Sequence, residues 1–262
     1  MLINNRERSL LKSILLAFYH LTRLPLPAVP FDEKSCGRST AFFPAVGLIL
    51  GLILAGLAWA SQWCFPEQFR AALLVTGMLV LTGGIHLDGF MDSMDGLLSG
   101  RLRERKLEIM RDSRVGAFGV IGAICLLLTK YTLFLGLLGM PGQTLTRVLI
   151  TVPALSRWSM VLAITTFPYA RQEGLGKVYT DNAGRKELLI ATLIAALVAG
   201  LSLNMLGAWL MLAGAAFTIL AGRRITRALG GLTGDIYGFT NEMTEVVLLA
   251  LIYPYLCLNA GI

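Results

Sequence analysis

The stretch "AALLVTGMLVLTGGIHLDGFMDSMDGLLSG", residues 71–100, joins an apolar run to a segment with three aspartates. Asp88, Asp92 and Asp95 are spaced four and three residues apart. On a helix this spacing places the three carboxylates within an arc of about 60°. Charges at the boundary of a membrane segment are costly and mark functional positions. The stretch therefore predicts a helical membrane fold with a functional acidic face.

The composition indicates the same class of protein. Of the 262 residues, 55% are hydrophobic and 15% are charged, whereas a soluble domain is about a quarter charged. We therefore predict an all-α fold: a polytopic integral membrane helical bundle of about seven transmembrane helices with an N-terminal amphipathic helix. The four cysteines, Cys36, Cys64, Cys125 and Cys257, lack the spacing of a zinc site or a disulfide framework.

The hydrophobic runs predict one membrane domain, residues 1–262. Residues 1–40 hold an amphipathic helix over 7–23, which Pro25 and Pro27 end, and a polar linker, "FDEKSCGRS". The rest, 41–262, is predicted to be a transmembrane catalytic bundle. The predicted spans are 41–60, 71–87, 116–139, 145–166, 188–203, 205–221 and 244–258. The fifth and sixth spans are separated only by "LNM", which indicates a tight helical hairpin.

The basic residues predict how these spans are oriented. With the N-terminus in the cytoplasm and seven alternating spans, the inside segments hold nineteen of the 23 basic residues. This asymmetry follows the positive-inside rule, which we prefer to nucleic-acid binding as the reason for the net charge of +7. We expect a protein of the bacterial inner membrane with the N-terminus and active-site loops in the cytoplasm and the C-terminus outside. No nucleic-acid partner is expected.

The aspartates predict a magnesium site. Three neighbouring carboxylates repel one another unless a cation lies among them, and Mg²⁺ takes one or two carboxylates together with substrate phosphates. A solvated acidic helix end is the alternative. His86 points to another side of the helix, as a structural residue or as a base that supports catalysis.

A second polar cluster, "GGLTGDIYGFTNEMTEV" at 230–246, combines glycines with acidic and amide side chains before an apolar helix. Asp235 and Glu242 are seven residues apart and are able to share a helical face. Helix capping is the alternative for Glu242 or Glu245, but not for Asp235. We predict that Asp235 is a metal ligand and that Asn241 contacts substrate.

Basic residues within and beside the spans are candidates for binding phosphate. Lys130 and Arg157 lie inside predicted spans, where a charge needs a partner. Each is expected either to pair with a carboxylate or to bind a substrate phosphate. Arg111, Asp112 and Arg114 are expected to help close a phosphate site. Arg171 lies on the same predicted cytoplasmic side. The run from Arg101 to Lys106 is interpreted as a lipid-headgroup anchor.

Six segments together resemble one family, cobalamin 5′-phosphate synthase, also called adenosylcobinamide-GDP ribazoletransferase. The resemblance covers nearly the whole chain, and the third and sixth segments are the most specific. In chain order the segments are "FYHLTRLPLP", "AFFPAVGLILG", "GGIHLDGFMDSMDGLLSG", "EIMRDSRVGAFG", "FPYARQEGLG" and "GGLTGDIYGFTNEMTEV".

The resemblance implies a Mg²⁺-dependent membrane enzyme late in cobalamin biosynthesis. Its reaction joins adenosylcobinamide-GDP to α-ribazole or its 5′-phosphate and releases GMP. The expected catalytic residues are His86, Asp88, Asp92, Asp95, Asp235 and Glu242, and the expected metal ligands are Asp88, Asp92, Asp95 and Asp235. The expected substrate-binding residues are Lys130, Arg157, Arg171, Arg111, Asp112 and Asn241. The partners are the corrinoid nucleotide, α-ribazole and the lipid bilayer, with a homo-oligomer left open.

Three other functions stay as alternatives. A CDP-alcohol phosphotransferase or a UbiA-like prenyltransferase also uses aspartate-rich helices, but the DGxxAR and paired NDxxD patterns of those families are absent from this chain. A secondary transporter would use intramembrane charges for ion coupling, but the sequence has no evident internal repeat.

Overall fold

The computed structural model describes residues 5–27, 29–140 and 142–260, and most of these residues are helical. Within the described residues, the only β-structure is a single bridge between Tyr169 and Leu232. A short 3₁₀ turn, Thr40–Phe42, joins the second and third helices. The α-helices are α1 (Asn5–Leu21), α2 (Glu33–Ser39), α3 (Phe43–Ser61), α4 (Glu67–Thr82), α5 (Ile85–Leu98), α6 (Arg103–Ile109), α7 (Ala117–Leu138), α8 (Gly142–Thr166), α9 (Leu175–Asn182), α10 (Arg185–Leu229) and α11 (Gly234–Ala260).

The lengths and hydropathy of these helices confirm the all-α membrane fold. Among the described residues, four helical segments are long and apolar enough to cross a membrane, and a fifth is obtained if the bent pair α4–α5 counts as one span. The four are α2–α3, α7, α8 and α10. The number of seven spans stays a prediction.

Helix α8 lies at the centre of the bundle. Of its apolar stretch that is long enough to cross a membrane, 83% of the residues are buried, because α3, α10 and α11 pack around it. Gly47 and Gly51 of α3 allow the closest of these contacts, since an added Cβ would lie 2.1 Å from the Pro153 carbonyl oxygen and 2.2 Å from that of Leu149. The GxxxG pair of α3 therefore packs two helices of the same chain.

Helix α10 is a hairpin, as the "LNM" turn predicted. Asn204 has non-helical backbone angles, φ 50° and ψ −126°, and an added Cβ on Gly207 would lie 2.2 Å from the Ala199 carbonyl oxygen. Thr192 accepts a hydrogen bond from the Trp158 ring, and Gly214 lies next to Ser159, the residue after Trp158. A straight helix would hold Thr192 and Gly214 about 30 Å apart, so the helix folds back between them. The first arm is 185–203 and the second arm is 205–229.

Two segments differ from the sequence predictions. The polar stretch at 31–39 is not a linker throughout, because Asp32 caps α2 by accepting a hydrogen bond from the Ser35 amide at 3.2 Å. The predicted span 71–87 is not continuous, because α4 ends at Thr82 and α5 leaves it at 93°. Gly83 and Gly84 make this turn with φ 65° and 72°, a left-handed conformation that glycine adopts without strain.

Helix α11 also begins earlier than the predicted span 244–258. It starts at Gly234, so the second polar cluster is helical from Gly234 onward, and Asp235 already belongs to the helix. The helix carries Asp235 at its first turn and Glu242 two turns later, which places the two residues at different depths in the bundle.

Candidate functional site

The site lies where α5 crosses the start of α11. Two glycines allow the crossing, since an added Cβ on Gly89 would lie 2.9 Å from the Asp235 carbonyl oxygen, and one on Gly238 would lie 2.9 Å from that of His86. Phe90 and Phe239 stack beside it with ring centroids 5.7 Å apart. The crossing brings the aspartates of α5 next to Asp235, although the two segments are far apart in sequence.

The carboxylates at the crossing influence one another. Asp88 is exposed and Asp92 is half-buried. Asp92 lies on α5, which leaves α4 at 93°, and it is beyond the predicted span 71–87. Burial, and then the negative charges of Asp235 and Asp88, raise the pKa of Asp92 to about 7. A cation among these side chains would relieve the repulsion.

Arg171 supplies one positive charge to this group. Its guanidinium is 2.8 Å from Oδ2 of Asp235, and Thr233 also donates to Asp235 at 3.3 Å. Burial raises the pKa of Asp235, and Arg171 acts in the opposite direction. The β-bridge holds the loop of Arg171 against α11, because the Ala170 amide donates to the Leu232 carbonyl at 2.7 Å.

Asp95 is used differently from the other two aspartates of α5. It is buried, and its two carboxylate oxygens accept hydrogen bonds from the amides of Gly116 at 2.7 Å and Gly119 at 2.8 Å. These amides lie at the N-terminus of α7, where backbone donors lack helical partners and a negative charge is favoured. Asp95 thus joins α5 to α7, and its role as a metal ligand stays a prediction.

The donor set at the crossing fits a magnesium site that substrate completes. Among the described residues, no group of three or more His, Cys, Asp or Glu side chains is arranged to hold a metal. Mg²⁺ is often held by only one or two carboxylates, with phosphate oxygens filling other positions. Asp92 with Asp88 or Asp235 satisfies that requirement.

A cavity of about 210 Å³ opens beside these carboxylates and is lined by His86, Asp88 and Asp235, with Tyr179 and Tyr237 among its aromatic walls. His86 is 3% exposed, and both of its ring nitrogens lack a hydrogen-bond partner among the described residues. A buried imidazole without partners is costly. The ring is therefore available to bond a polar group that enters the cavity.

Lys130, Glu242, Glu245 and Arg157 form a separate network deep in the bundle. Lys130 pairs with Glu242 and with Glu245, the second at 2.6 Å, and Arg157 pairs with Glu245. Arg157 is fully buried, and the other three are 4–5% exposed. The two cations and the two carboxylates balance in charge, so the network favours the carboxylate-pairing alternative for both cations.

The structure thus separates Glu242 from Asp235, because Glu242 bonds to Lys130 rather than facing the aspartates. Asn241 is buried, and its side-chain amide donates to Glu242 at 3.5 Å. Sequence reasoning treated Glu245 as a helix-cap residue and missed it as the partner of Arg157. The signal was its place in the apolar helix three residues after Glu242, on the same face.

The last two predicted substrate-binding residues lie on the loop between α6 and α7. Asp112 accepts two side-chain hydrogen bonds from Arg114, at 2.7 and 3.0 Å, and these bonds lower the pKa of Asp112 to about 2. Arg111 is exposed. It lies close to Arg171, since Arg171 donates to the carbonyl of neighbouring Met110 at 3.4 Å.

Fold and site together define an all-helical membrane protein whose acidic, arginine-containing group lies at one end of the bundle. Residues 13–253 match the family of cobalamin-5-phosphate synthase. The chain belongs to this family.

Relatives named adenosylcobinamide-GDP ribazoletransferase are similar to nearly the whole chain. The protein from Desulfitobacterium hafniense (strain Y51) is 39% identical over 94% of this chain and 98% of its own length. That from Desulforamulus reducens is 43% identical over 92% of this chain and 95% of its own length. That from Roseiflexus sp. (strain RS-1) is 41% identical over 89% and 86%, respectively. These names make the chain an enzyme of the transferase class. No solved structure matches the chain.

Proposed function

We propose that this protein is a Mg²⁺-dependent membrane transferase that joins adenosylcobinamide-GDP to α-ribazole, or to its 5′-phosphate, with release of GMP. The product is adenosylcobalamin or its 5′-phosphate, formed late in cobalamin biosynthesis. The observation that carries the proposal is the family match over residues 13–253, together with relatives that bear the name of this transferase over almost their full length.

The α5–α11 crossing supports the chemistry of the proposal. A ribose hydroxyl attacks the phosphorus that is attached to cobinamide, a new P–O bond forms, and the P–O bond to the leaving GMP breaks. Asp88, Asp92 and Asp235 are the proposed metal-binding group, and Asp95 is the fourth predicted ligand. Bound Mg²⁺ would neutralise diphosphate oxygens as negative charge moves onto GMP.

Protein side chains perform the remaining tasks. Arg171, held by Asp235 at 2.8 Å, contributes positive charge beside the diphosphate, and Arg111 adds a further charge from the adjoining loop. His86 lines the same cavity as Asp88 and is the proposed acceptor of the hydroxyl proton, with a neighbouring carboxylate as the other acceptor.

Lys130, Arg157 and Glu242 have a supporting role in this scheme. Their charges are matched within the buried network, so they hold α7, α8 and α11 in register beneath the site. We propose further that the protein lies in the inner membrane with the aspartate group facing the cytoplasm, where the basic loops are concentrated.

The test is an assay of the purified protein in liposomes with both substrates, following GMP release with Mg²⁺ and after chelation by EDTA. We expect release only when both substrates and Mg²⁺ are present. Release of GMP without the ribazole acceptor, or product formation undiminished in EDTA, would contradict the proposal.

Asp92→Asn tests the metal-binding group directly. At limiting Mg²⁺ we expect kcat/KM to fall about a hundredfold or more, because the variant loses a charged ligand and a neighbour of the reacting phosphate. Asp181→Asn is the matched control, since Asp181 is an exposed carboxylate on α9 that pairs with Lys177. Full turnover of the Asp92 variant at limiting Mg²⁺ would show that Asp92 is not part of the metal-binding group.

A further inference from the structure

An apolar groove lies on the side of α5 that faces α10, away from the aspartate cavity. It has a volume of about 580 Å³ between α5, α6, the second arm of α10 and the start of α11. Met94, Leu97 and Leu98 of α5 form one wall, and Phe217 and Ala221 of α10 form the opposite wall. The groove runs beside a helix that carries the proposed metal-binding group.

Three cations, Lys106, Arg224 and Arg227, line this groove, and no carboxylate of the described residues lines it. None of the three has an ion-pair partner within the described residues. Arg224 and Arg227 lie at the C-terminal end of α10 and Lys106 lies on α6. The charges are therefore gathered near the end of the groove that is predicted to face the cytoplasm.

A second groove adjoins the first. Its volume is about 400 Å³. In the part of the chain that the structure describes, its lining between α5, α7 and α11 has no charged side chain. The two grooves share Met94, Leu98 and Phe239. A ridge of three apolar side chains thus separates two apolar channels, with cations beside one of them.

We propose that these paired grooves bind one anionic, two-chain phospholipid. The phosphate lies among Lys106, Arg224 and Arg227, and one acyl chain lies on each side of the ridge formed by Met94, Leu98 and Phe239. Basic pockets between membrane helices on the cytoplasmic side bind anionic headgroups in this way. The apolar channels favour a lipid over a small soluble phosphate, because a soluble phosphate has no acyl chains to fill them.

The proposal does not depend on the reaction assigned to the protein, because it rests on α10 and on the far side of α5. It has a consequence for the site, since a lipid wedged against Met94 and Leu98 would hold α5 in place against α11.

The experiment measures lipid retained by the purified full-length protein in native mass spectrometry. The probes are palmitoyl-oleoyl phosphatidylglycerol and the phosphatidylcholine with the same chains. We expect retention of phosphatidylglycerol to exceed that of phosphatidylcholine by about tenfold or more, since three cations face the headgroup. Excess glycerol 3-phosphate is expected to leave the bound lipid in place.

Two variants separate the charges from the channels. Lys106→Gln/Arg224→Gln/Arg227→Gln is expected to abolish the preference for phosphatidylglycerol. Arg185→Gln/Lys186→Gln/Arg223→Gln, which removes three exposed cations outside the groove lining, is expected to retain it. Ala221→Trp fills the first channel without altering charge and is expected to abolish retention of both lipids. Gel filtration and circular dichroism check folding, and Arg224→Gln alone serves if the triple variant does not fold.

Four results would overturn the proposal. They are equal retention of the two lipids by the unaltered protein, an undiminished preference in the groove variants, undiminished retention in Ala221→Trp, and displacement of the lipid by glycerol 3-phosphate.

Discussion

At the residue scale, the glycines at the start of α7 are explained by the carboxylate that they contact. An added Cβ on Gly116 would lie 2.4 Å from an oxygen of Asp95, and one on Gly119 would lie 2.5 Å from the other oxygen. Because Asp95 occupies this space to accept the backbone hydrogen bonds, neither position accommodates a side chain. The glycines and the aspartate therefore act together as a joint between α5 and α7.

Gly119→Ala tests this joint. The added methyl group forces the buried carboxylate of Asp95 away from its backbone donors, and we expect the free energy of unfolding to fall by about 1–3 kcal/mol. The measurement is the unfolding transition in detergent micelles. Gly200→Ala is the control, because no atom of the described residues lies within 4 Å of the Cβ it adds. Equal stability of the two variants would contradict the role given to Asp95.

The buried ion network makes a second prediction at this scale. Lys130→Met leaves Glu242 and Glu245 with one cation between them, and breaking a buried pair in this way is expected to cost about 3–5 kcal/mol of stability. The double variant Lys130→Met/Glu242→Gln removes one charge of each sign and is expected to recover part of that loss. Unfolding in micelles measures both variants. A Lys130→Met protein of normal stability but raised KM would instead make Lys130 a substrate ligand.

At the element scale, the site depends on how closely α5 and α11 approach each other. At their closest approach each helix presents a glycine, Gly89 or Gly238, to the backbone of the other, so backbone atoms set the separation of the two helices there. The aspartates of α5 reach Asp235 only because of this approach. A small change in the crossing therefore changes the spacing of the whole carboxylate group.

Gly89→Ala tests the crossing. Its Cβ would lie 2.9–3.0 Å from backbone atoms of Asp235, so the helices must separate, and we expect kcat/KM to fall by roughly ten- to a hundredfold. GMP release measures the effect. The control is Gly234→Ala. This glycine is next to Asp235, but its added Cβ would have no neighbour within 4 Å among the residues that the structure describes. Unchanged turnover in Gly89→Ala would show that the reaction does not need this spacing.

At the scale of the whole molecule, the proposed orientation places the α3–α4 loop on the outer side of the inner membrane and the α5–α6 loop in the cytoplasm. Cys64 is exposed in the first loop. We expect a membrane-impermeant maleimide to label it in intact bacteria expressing the protein. In a Cys64→Ser background, Arg101→Cys in the second loop is expected to react only after permeabilisation. The reverse pattern would invert the topology and move the aspartate group to the outside.

Much of the fold was predictable from the sequence, because the signals are local. Hydropathy places α3, α7 and α8 within a few residues of the predicted spans, and "LNM" marks the turn of the α10 hairpin. The break after α4 was missed, since the apolar run continues through "TGGIHL" and only two left-handed glycines interrupt it. Helix α2 was missed because its polar sequence resembles a linker.

The sequence by itself determined an all-helical membrane protein with acidic residues concentrated in two segments, because hydropathy and helical spacing are properties of neighbouring residues. Only the tertiary structure decided how those acids are divided. Asp235 pairs with Arg171, Asp95 caps α7, and the glutamates of α11 pair with Lys130 and Arg157. The physical reason is that each assignment depends on where helices cross, and the partners of Lys130 are more than a hundred residues away along the chain.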